Sequence, residues 1–180
     1  MEQYDIVVMP KTSLIYEQAA LLLEESFPHC YPGLESRVEL DRLMKDCVCL
    51  VALHGTQLLG IVAAEKQYGI TGWELHPLVV DMHHRRQGIG KALMESIEAK
   101  VSTLGGHVMY LGTDDEFFKT SLSEGDLFEN TFDKIQKIKN KGKHPYEFYQ
   151  KCGYQIVGVI PDANGPNKPD IMMAKRIKPL

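Results

Sequence analysis

The 180 residues predict one α/β (α+β) domain built on a mixed sheet with helices on both faces. Three observations carry that reading. The length suits a single domain. Hydrophobic residues at 44% and charged residues at 24% match an ordinary globular protein, not a disordered or fibrous one. Short apolar strand runs also alternate with helical periods, and no repeat, low-complexity tract or long linker interrupts them, so the domain is expected over 1–180.

Taken in order, the first third predicts two helices ahead of the sheet. Ser13 is placed to cap a helix with Leu14, Leu21, Leu22 and Leu23 on its apolar face. Ser36 and Glu39 form an S-x-x-E capping box before Leu40, Leu43 and Met44. Strands over 47–53 and 58–65 flank His54-Gly55-Thr56, which is hairpin chemistry, and a third strand over 73–80 follows the Gly69/Gly72 turn. From Ile89 the period changes: Ile89, Leu93, Ile97 and Val101 recur every four residues, and Gly105-Gly106 ends the helix. A strand over 107–111 precedes helical spacing at Phe128, Phe132, Ile135 and Ile138. Pro145 opens a short helix to Cys152 with Gly153 past its end, and strands over 154–160 and 171–177 close the chain.

Twenty basic against 24 acidic residues give a net charge of −4, which argues against a nucleic-acid or membrane-surface binder. Four cysteines without a CxxC or zinc-type spacing are too few for a disulfide scaffold, so reduced thiols inside a cell are the simplest expectation. The N-terminus lacks a basic region followed by an apolar one, and no apolar run approaches the roughly 18 residues of a membrane span. A cytoplasmic protein is expected. Adjacent His83 and His84 diverge, with no carboxylate or cysteine spacing to complete a shell, so no metal site is assigned.

Residues 79 to 91 read V-V-D-M-H-H-R-R-Q-G-I-G-K between a strand and a helix. Gly88 and Gly90 let backbone N–H groups approach a ligand, the following helix start adds unpaired donors, and Arg85, Arg86 and Lys91 concentrate positive charge. That suits a diphosphate, although a G-x-G by itself also serves as a plain turn. With Arg85, Gly88 and Gly90 in the pattern [Q/R]-x-x-G-x-[G/A], the chain resembles the GCN5-related N-acetyltransferases. The resemblance implies a mostly antiparallel acyl-CoA N-acyltransferase fold and acetyl-CoA as co-substrate. It implies that the backbone of Leu78, Val79 and Val80 holds the pantetheine arm, and that Arg85, Arg86, Gln87, Gly88, Ile89, Gly90 and Lys91 hold the diphosphate. It also implies an oxyanion contact from Leu78 N–H, and it marks Tyr149, in F-Y-Q-K-C-G-Y, as the acid for the leaving thiolate and a cofactor contact. Aromatic packing is the other reading of Tyr149.

Acetyl transfer to an amine needs a base, since an alkylammonium of pKa about 10.4 is neutral only about once in a few thousand molecules at pH 7. In W-E-L-H-P-L-V-V a period of two puts Glu74, His76 and Leu78 on one face and Trp73, Leu75 and Pro77 on the other. Glu74 is therefore the predicted amine-binding base. His76 is either catalytic or structural, orienting Glu74 or a backbone amide. From Asp114 to Asp133 seven acidic residues face one basic, so Asp114 and Asp115 are candidates to draw in a cation, against a plain solvated face. Phe27, Tyr31 and Tyr68 are candidate walls.

Q-Y-G-I-T-G-W-E-L-H-P-L-V-V, Y-L-G-T-D-D, H-P-Y-E-F-Y and V-G-V-I-P-D-A-N-G together resemble one branch, the aminoglycoside 6'-N-acetyltransferases, over most of 57–178. That implies direct transfer in a ternary complex to the 6'-amine of an aminoglycoside, antibiotic resistance, no acyl-enzyme and a homodimer. The alternatives are a polyamine or protein-amine acetyltransferase, or a CoA-binding sensor without chemistry.

Overall fold

A computed structural model describes residues 3–178, so the ends of the domain predicted over 1–180 lie outside the described part. The chain forms two compact units, Met1–His107 with Ile177–Leu180, and Val108–Arg176.

The first unit contains β1 (Asp5–Val8), α1 (Ser13–Ser26), α2 (Leu34–Asp46), β2 (Val48–His54), β3 (Gln57–Tyr68), β4 (Gly72–Val80) and α3 (Ile89–Thr103). β1 to β4 are antiparallel neighbours in chain order. β1 has no counterpart in the sequence reading: it is short and mostly exposed, and its pairing with β2 spans more than 40 residues of chain, so local pattern does not mark it. Helix starts also differ from expectation. Thr12, not Ser13, stands at the cap of α1, and Leu14 and Leu21 are exposed while Ile15, Ala19, Ala20, Leu22 and Leu23 face the core. Gly33 caps α2, which places Ser36 inside the first turn, where its hydroxyl donates to the Gly33 carbonyl, and Glu39 binds Arg42 instead of closing a box.

α1 and α2 pack on the sheet face that carries Cys49, Val51, Ile61, Ala63 and Val79. α3 packs on β2, β3 and β4, with Ile89, Leu93, Met94, Ile97 and Val101 buried as its four-residue period predicts. The approach is close: a Cβ on Gly60 would lie 2.8 Å from the Val79 carbonyl oxygen and 3.0 Å from the Leu93 side chain.

The second unit holds β5 (Val108–Asp114), α4 (Thr131–Gln136), α5 (Tyr146–Lys151), β6 (Gln155–Ile160) and β7 (Asp170–Arg176). β7 lies between β5 and β6 and is antiparallel to both. Leu111 opposite Met173 and Met109 beside it give the sheet its buried face. The helical spacing of Phe128 and Phe132 is misleading. α4 has only six residues, and these rings are 69% and 81% exposed.

Candidate active site

In the first unit the chemistry gathers on β4, and its register decides which side chains share a face. Glu74 pairs with Glu65 and Leu75 with Ala64, but Leu78 pairs with Val62. One residue of β3, Ala63, thus opposes two of β4, His76 and Pro77, a bulge that inserts one extra residue. A one-residue insertion exchanges the faces. Glu74 therefore shares the α1/α2 face with Glu65, whereas the Leu78 side chain turns to the α3 face with Val62. The strict alternation predicted for Glu74, His76 and Leu78 fails at this bulge. A second irregularity between Lys66 and Tyr68 pairs Tyr68 with Gly72, which brings Tyr68 to Glu74's face, exposed.

Glu74 is half-exposed, and no hydrogen bond or ion pair among the described residues engages its carboxylate. Its cross-strand neighbour Glu65 is neutralised instead: Arg42 bonds Glu65 at 2.7 Å and Glu39 at 2.8 Å. One carboxylate of the pair is spent on structure, and the other is left to accept a cation or a proton. His76 is exposed, and its Nε2 lies 2.7 Å from the Tyr31 hydroxyl. Tyr31 in turn meets Phe27 edge-on, with ring centroids 5.8 Å apart. Phe27, Tyr31 and His76 thus form one connected wall beside Glu74.

The main chain of β4 shows which groups are spare. Asp81 N–H donates to Leu59 O at 2.9 Å, so 81/59 is a hydrogen-bonded pair. In an antiparallel ladder such pairs alternate, which makes Val79 opposite Ile61 hydrogen-bonded and turns the amides and carbonyls of Leu78 and Val80 away from β3. Val79 is buried and committed to β3, while the main-chain groups of Leu78 and Val80 face away from it. One is already used: Arg85 Nε donates to Val80 O at 3.0 Å, tethering that guanidinium to the strand end.

The loop that follows is held by Asp81, whose Oδ1 accepts from His83 N–H at 2.9 Å and meets His84 Nδ1 at 2.7 Å. Burial pushes this carboxyl up, but the bonds from His84 and His83 outweigh it and hold the group below its ordinary value. Arg86 lies at φ 63° and Gly88, the N-cap of α3, at φ 89°. A side chain at Gly88 would meet open space, so the requirement for glycine there is backbone conformation, not crowding. Arg85, Arg86, Gln87, Gly88 and Lys91 are exposed, and Ile89 is the buried anchor. Exposed cations thus surround the amides of a helix N-terminus, which is anion-binding geometry. No cluster of three or more His, Cys, Asp or Glu side chains suited to a metal occurs among the described residues.

In the second unit the predicted acidic residues divide. Asp114 is exposed and binds Asn164. Asp115 is 0% exposed. Its Oδ1 accepts from Lys119 N–H at 2.6 Å, and its Oδ2 accepts from Thr120 N–H at 2.8 Å, Thr120 Oγ1 at 2.8 Å and Ser123 Oγ at 2.6 Å. Burial raises its pKa, but these bonds outweigh burial and lower it. Asp115 organises the 115–123 loop and is not available to a solute, which corrects its assignment to an acceptor site. The wider acidic stretch is also less naked than the window to Asp133 suggests, because Lys137 pairs with Asp133 at 2.7 Å and Lys141 with Glu124.

Tyr149 packs edge-on against Phe148 and Tyr154, with centroids 5.2 and 6.1 Å away. Burial pushes its phenol well above the ordinary value, so it keeps its proton at neutral pH. His144 escaped the sequence reading. It is buried, its Nε2 is 3.0 Å from Asp114 O, and its Nδ1 accepts from Tyr146 N–H at 3.2 Å. That neutral tautomer ties β5 to the start of α5, and desolvation lowers its pKa. A histidine directly before Pro145 was the only available signal.

With these features in place, the chain belongs to the acetyltransferase (GNAT) family, whose model matches residues 16–121. An aminoglycoside 6'-N-acetyltransferase complexed with coenzyme A is 45% identical, covers 98% of each chain and superposes with a TM-score of 0.95. The aminoglycoside 6'-N-acetyltransferase from Enterococcus faecium is 44% identical over 98% of each chain, with a TM-score of 0.93. Aminoglycoside 6'-acetyltransferase type Ii is 38% identical over 98% of this chain and 99% of that one, with a TM-score of 0.78. No curated protein matches the chain. The full-length likeness shows the fold class expected from sequence, a mixed, mostly antiparallel sheet flanked by helices.

Proposed function

We propose that the chain transfers the acetyl group of acetyl-CoA to the 6'-amine of an aminoglycoside by direct attack in a ternary complex, and so confers resistance to that antibiotic. The observation that carries the reading is Glu74: a half-buried, unengaged carboxylate on β4, two residues before a bulge beyond which the Leu78 and Val80 main chain faces away from β3. It is supported by identities of 44–45% over 98% of the chain to proteins named for that reaction.

In this reading Glu74 attracts the ammonium and takes its proton, directly or through water. The freed amine attacks the thioester carbonyl. Its oxygen becomes an oxyanion, which Leu78 N–H receives at no reorganisation cost because the amide is already unpaired by β3. Collapse expels the CoA thiolate, and the attacking nitrogen sheds its second proton to water to leave the neutral amide. The thiolate takes a proton from water, since a thiol pKa near 8.5 means the leaving group needs little help. Val80 and Leu78 hold the pantetheine arm as an added strand, and the diphosphate rests on the 85–91 loop, where Arg85 stays tethered to Val80. Val79 contributes packing beneath that arm. Phe27 and Tyr68 contact the acceptor. The protein acts in the cytoplasm as a homodimer; no helix among the described residues is long and apolar enough to cross a membrane.

The test is thiol release from acetyl-CoA with a pair of kanamycin-type antibiotics that differ only in a 6'-amine or a 6'-hydroxyl. Release with the amine alone is expected. Release with spermidine or a peptide and with no aminoglycoside establishes the polyamine or protein-amine alternative. Tight acetyl-CoA binding with no acceptor acetylated establishes a sensor.

A further inference from the structure

We propose that Tyr31 is a positioning residue: its hydroxyl donates to His76 Nε2, which fixes the imidazole as the neutral tautomer with its only N–H on Nδ1. The two atoms are 2.7 Å apart, so one hydrogen lies between them. Two arrangements satisfy that distance. If His76 donated, an imidazole N–H, a far weaker acid than a phenol, would be given to a phenolic oxygen, a far weaker base than an imidazole nitrogen. With Tyr31 donating, the stronger acid of the pair, the phenol, meets the stronger base, the imidazole nitrogen, and the Nδ1–H is left to face solvent. Burial pushes the Tyr31 phenol up to about 12, with Glu39 adding to the rise, so the proton stays on oxygen throughout the neutral range.

The donor is also held in place. Tyr31 N–H bonds Phe27 O at 2.9 Å, closing the turn after α1, and the Phe27 ring stands edge-on to the Tyr31 ring at 83°. Tyr31 meets the imidazole at 65°, with centroids 6.4 Å apart. His76 lies two residues from Glu74 and within the bulge, so fixing its ring fixes what β4 offers there: an N–H donor at Nδ1, not a second base. The consequence for turnover rests on the acetyl-transfer reading above; the tautomer itself does not.

The experiment uses the full chain with ¹⁵N-labelled histidine and reads long-range ¹H–¹⁵N correlations without any acceptor, with His76 assigned by its loss in His76→Gln. In the parent, His76 is expected to show a pyrrole-type Nδ1 and a pyridine-type Nε2. In Tyr31→Phe the Nε2–H form is expected to appear. A parent ring protonated on Nε2, or a tautomer unchanged in Tyr31→Phe, overturns the proposal. Kinetics give a second reading: Tyr31→Phe is expected to lower kcat about fivefold, the worth of one neutral hydrogen bond, and to have no further effect in a His76→Gln background. Additive losses in the double variant overturn action through His76. Because the spectrum needs no substrate, an inactive protein with the expected tautomer refutes the functional reading alone.

Discussion

Replacing Asp115 with asparagine separates a loop-organising carboxylate from an acceptor-binding one. The side chain is fully buried, with one oxygen taking Lys119 N–H and the other taking Thr120 N–H, Thr120 Oγ1 and Ser123 Oγ. In Asp115→Asn the best orientation keeps the amide oxygen on the three-donor side and turns NH₂ toward Lys119 N–H, donor against donor at a site that is now 2.6 Å across. One charge-assisted bond is lost, worth about 1.5–3 kcal/mol, and the remaining three lose their charge assistance. A net loss of about 3 kcal/mol is expected, which for a chain of this size lowers Tm by about 6–12 °C. Thermal unfolding measures the loss, and acceptor KM at a temperature where the variant is folded shows whether binding changed. An unchanged Tm together with an acceptor KM raised tenfold or more would refute the structural role. The same group predicts acid sensitivity. Its folded pKa is lowered, so its stabilisation is complete above the unfolded value of about 3.9 and is lost as pH falls through the folded value.

Glu74→Gln is expected to lower kcat/KM about 10²- to 10³-fold near pH 7 and less at pH 9, where more of the amine is already neutral; wild-type-like turnover across pH 6 to 9 would remove the base assignment. Gly88→Ala imposes a side chain at φ 89°, so the acetyl-CoA KM is expected to rise about tenfold through a shifted loop, and an unchanged acetyl-CoA KM would remove that loop from the cofactor site. His144 is buried neutral with a lowered pKa, so the stability it contributes is present above about 6.5 and declines as pH falls below that. Denaturant midpoints that fall between pH 7 and pH 5 in the parent, but not in His144→Gln, check this.

Sequence alone determined whatever depends on neighbours a few residues apart. The four-residue period of α3 is buried as read, Gly55 turns the β2–β3 hairpin at φ 59°, and Gly88 opens α3 at φ 89°. Glu74 and the cationic loop stand out as candidates for the same reason, since a charge inside a strand and a glycine-rich turn before a helix are local anomalies. Tertiary structure decided what depends on partners distant in sequence. β1 exists only by pairing with β2. The bulge in β4 is defined by β3, and it carries Leu78 to the face opposite Glu74 despite an unbroken alternation of burial. Arg42 selects Glu65 and leaves Glu74 unengaged, and Tyr31 reaches His76 across 45 positions. Even Asp115, whose donors all lie within eight residues, looked like a solvated acid, because composition records charge while burial is a property of the packed chain. A period specifies which way a residue points only within its own ladder; which face is core, and which charge is already answered, follows from what the rest of the chain lays against it.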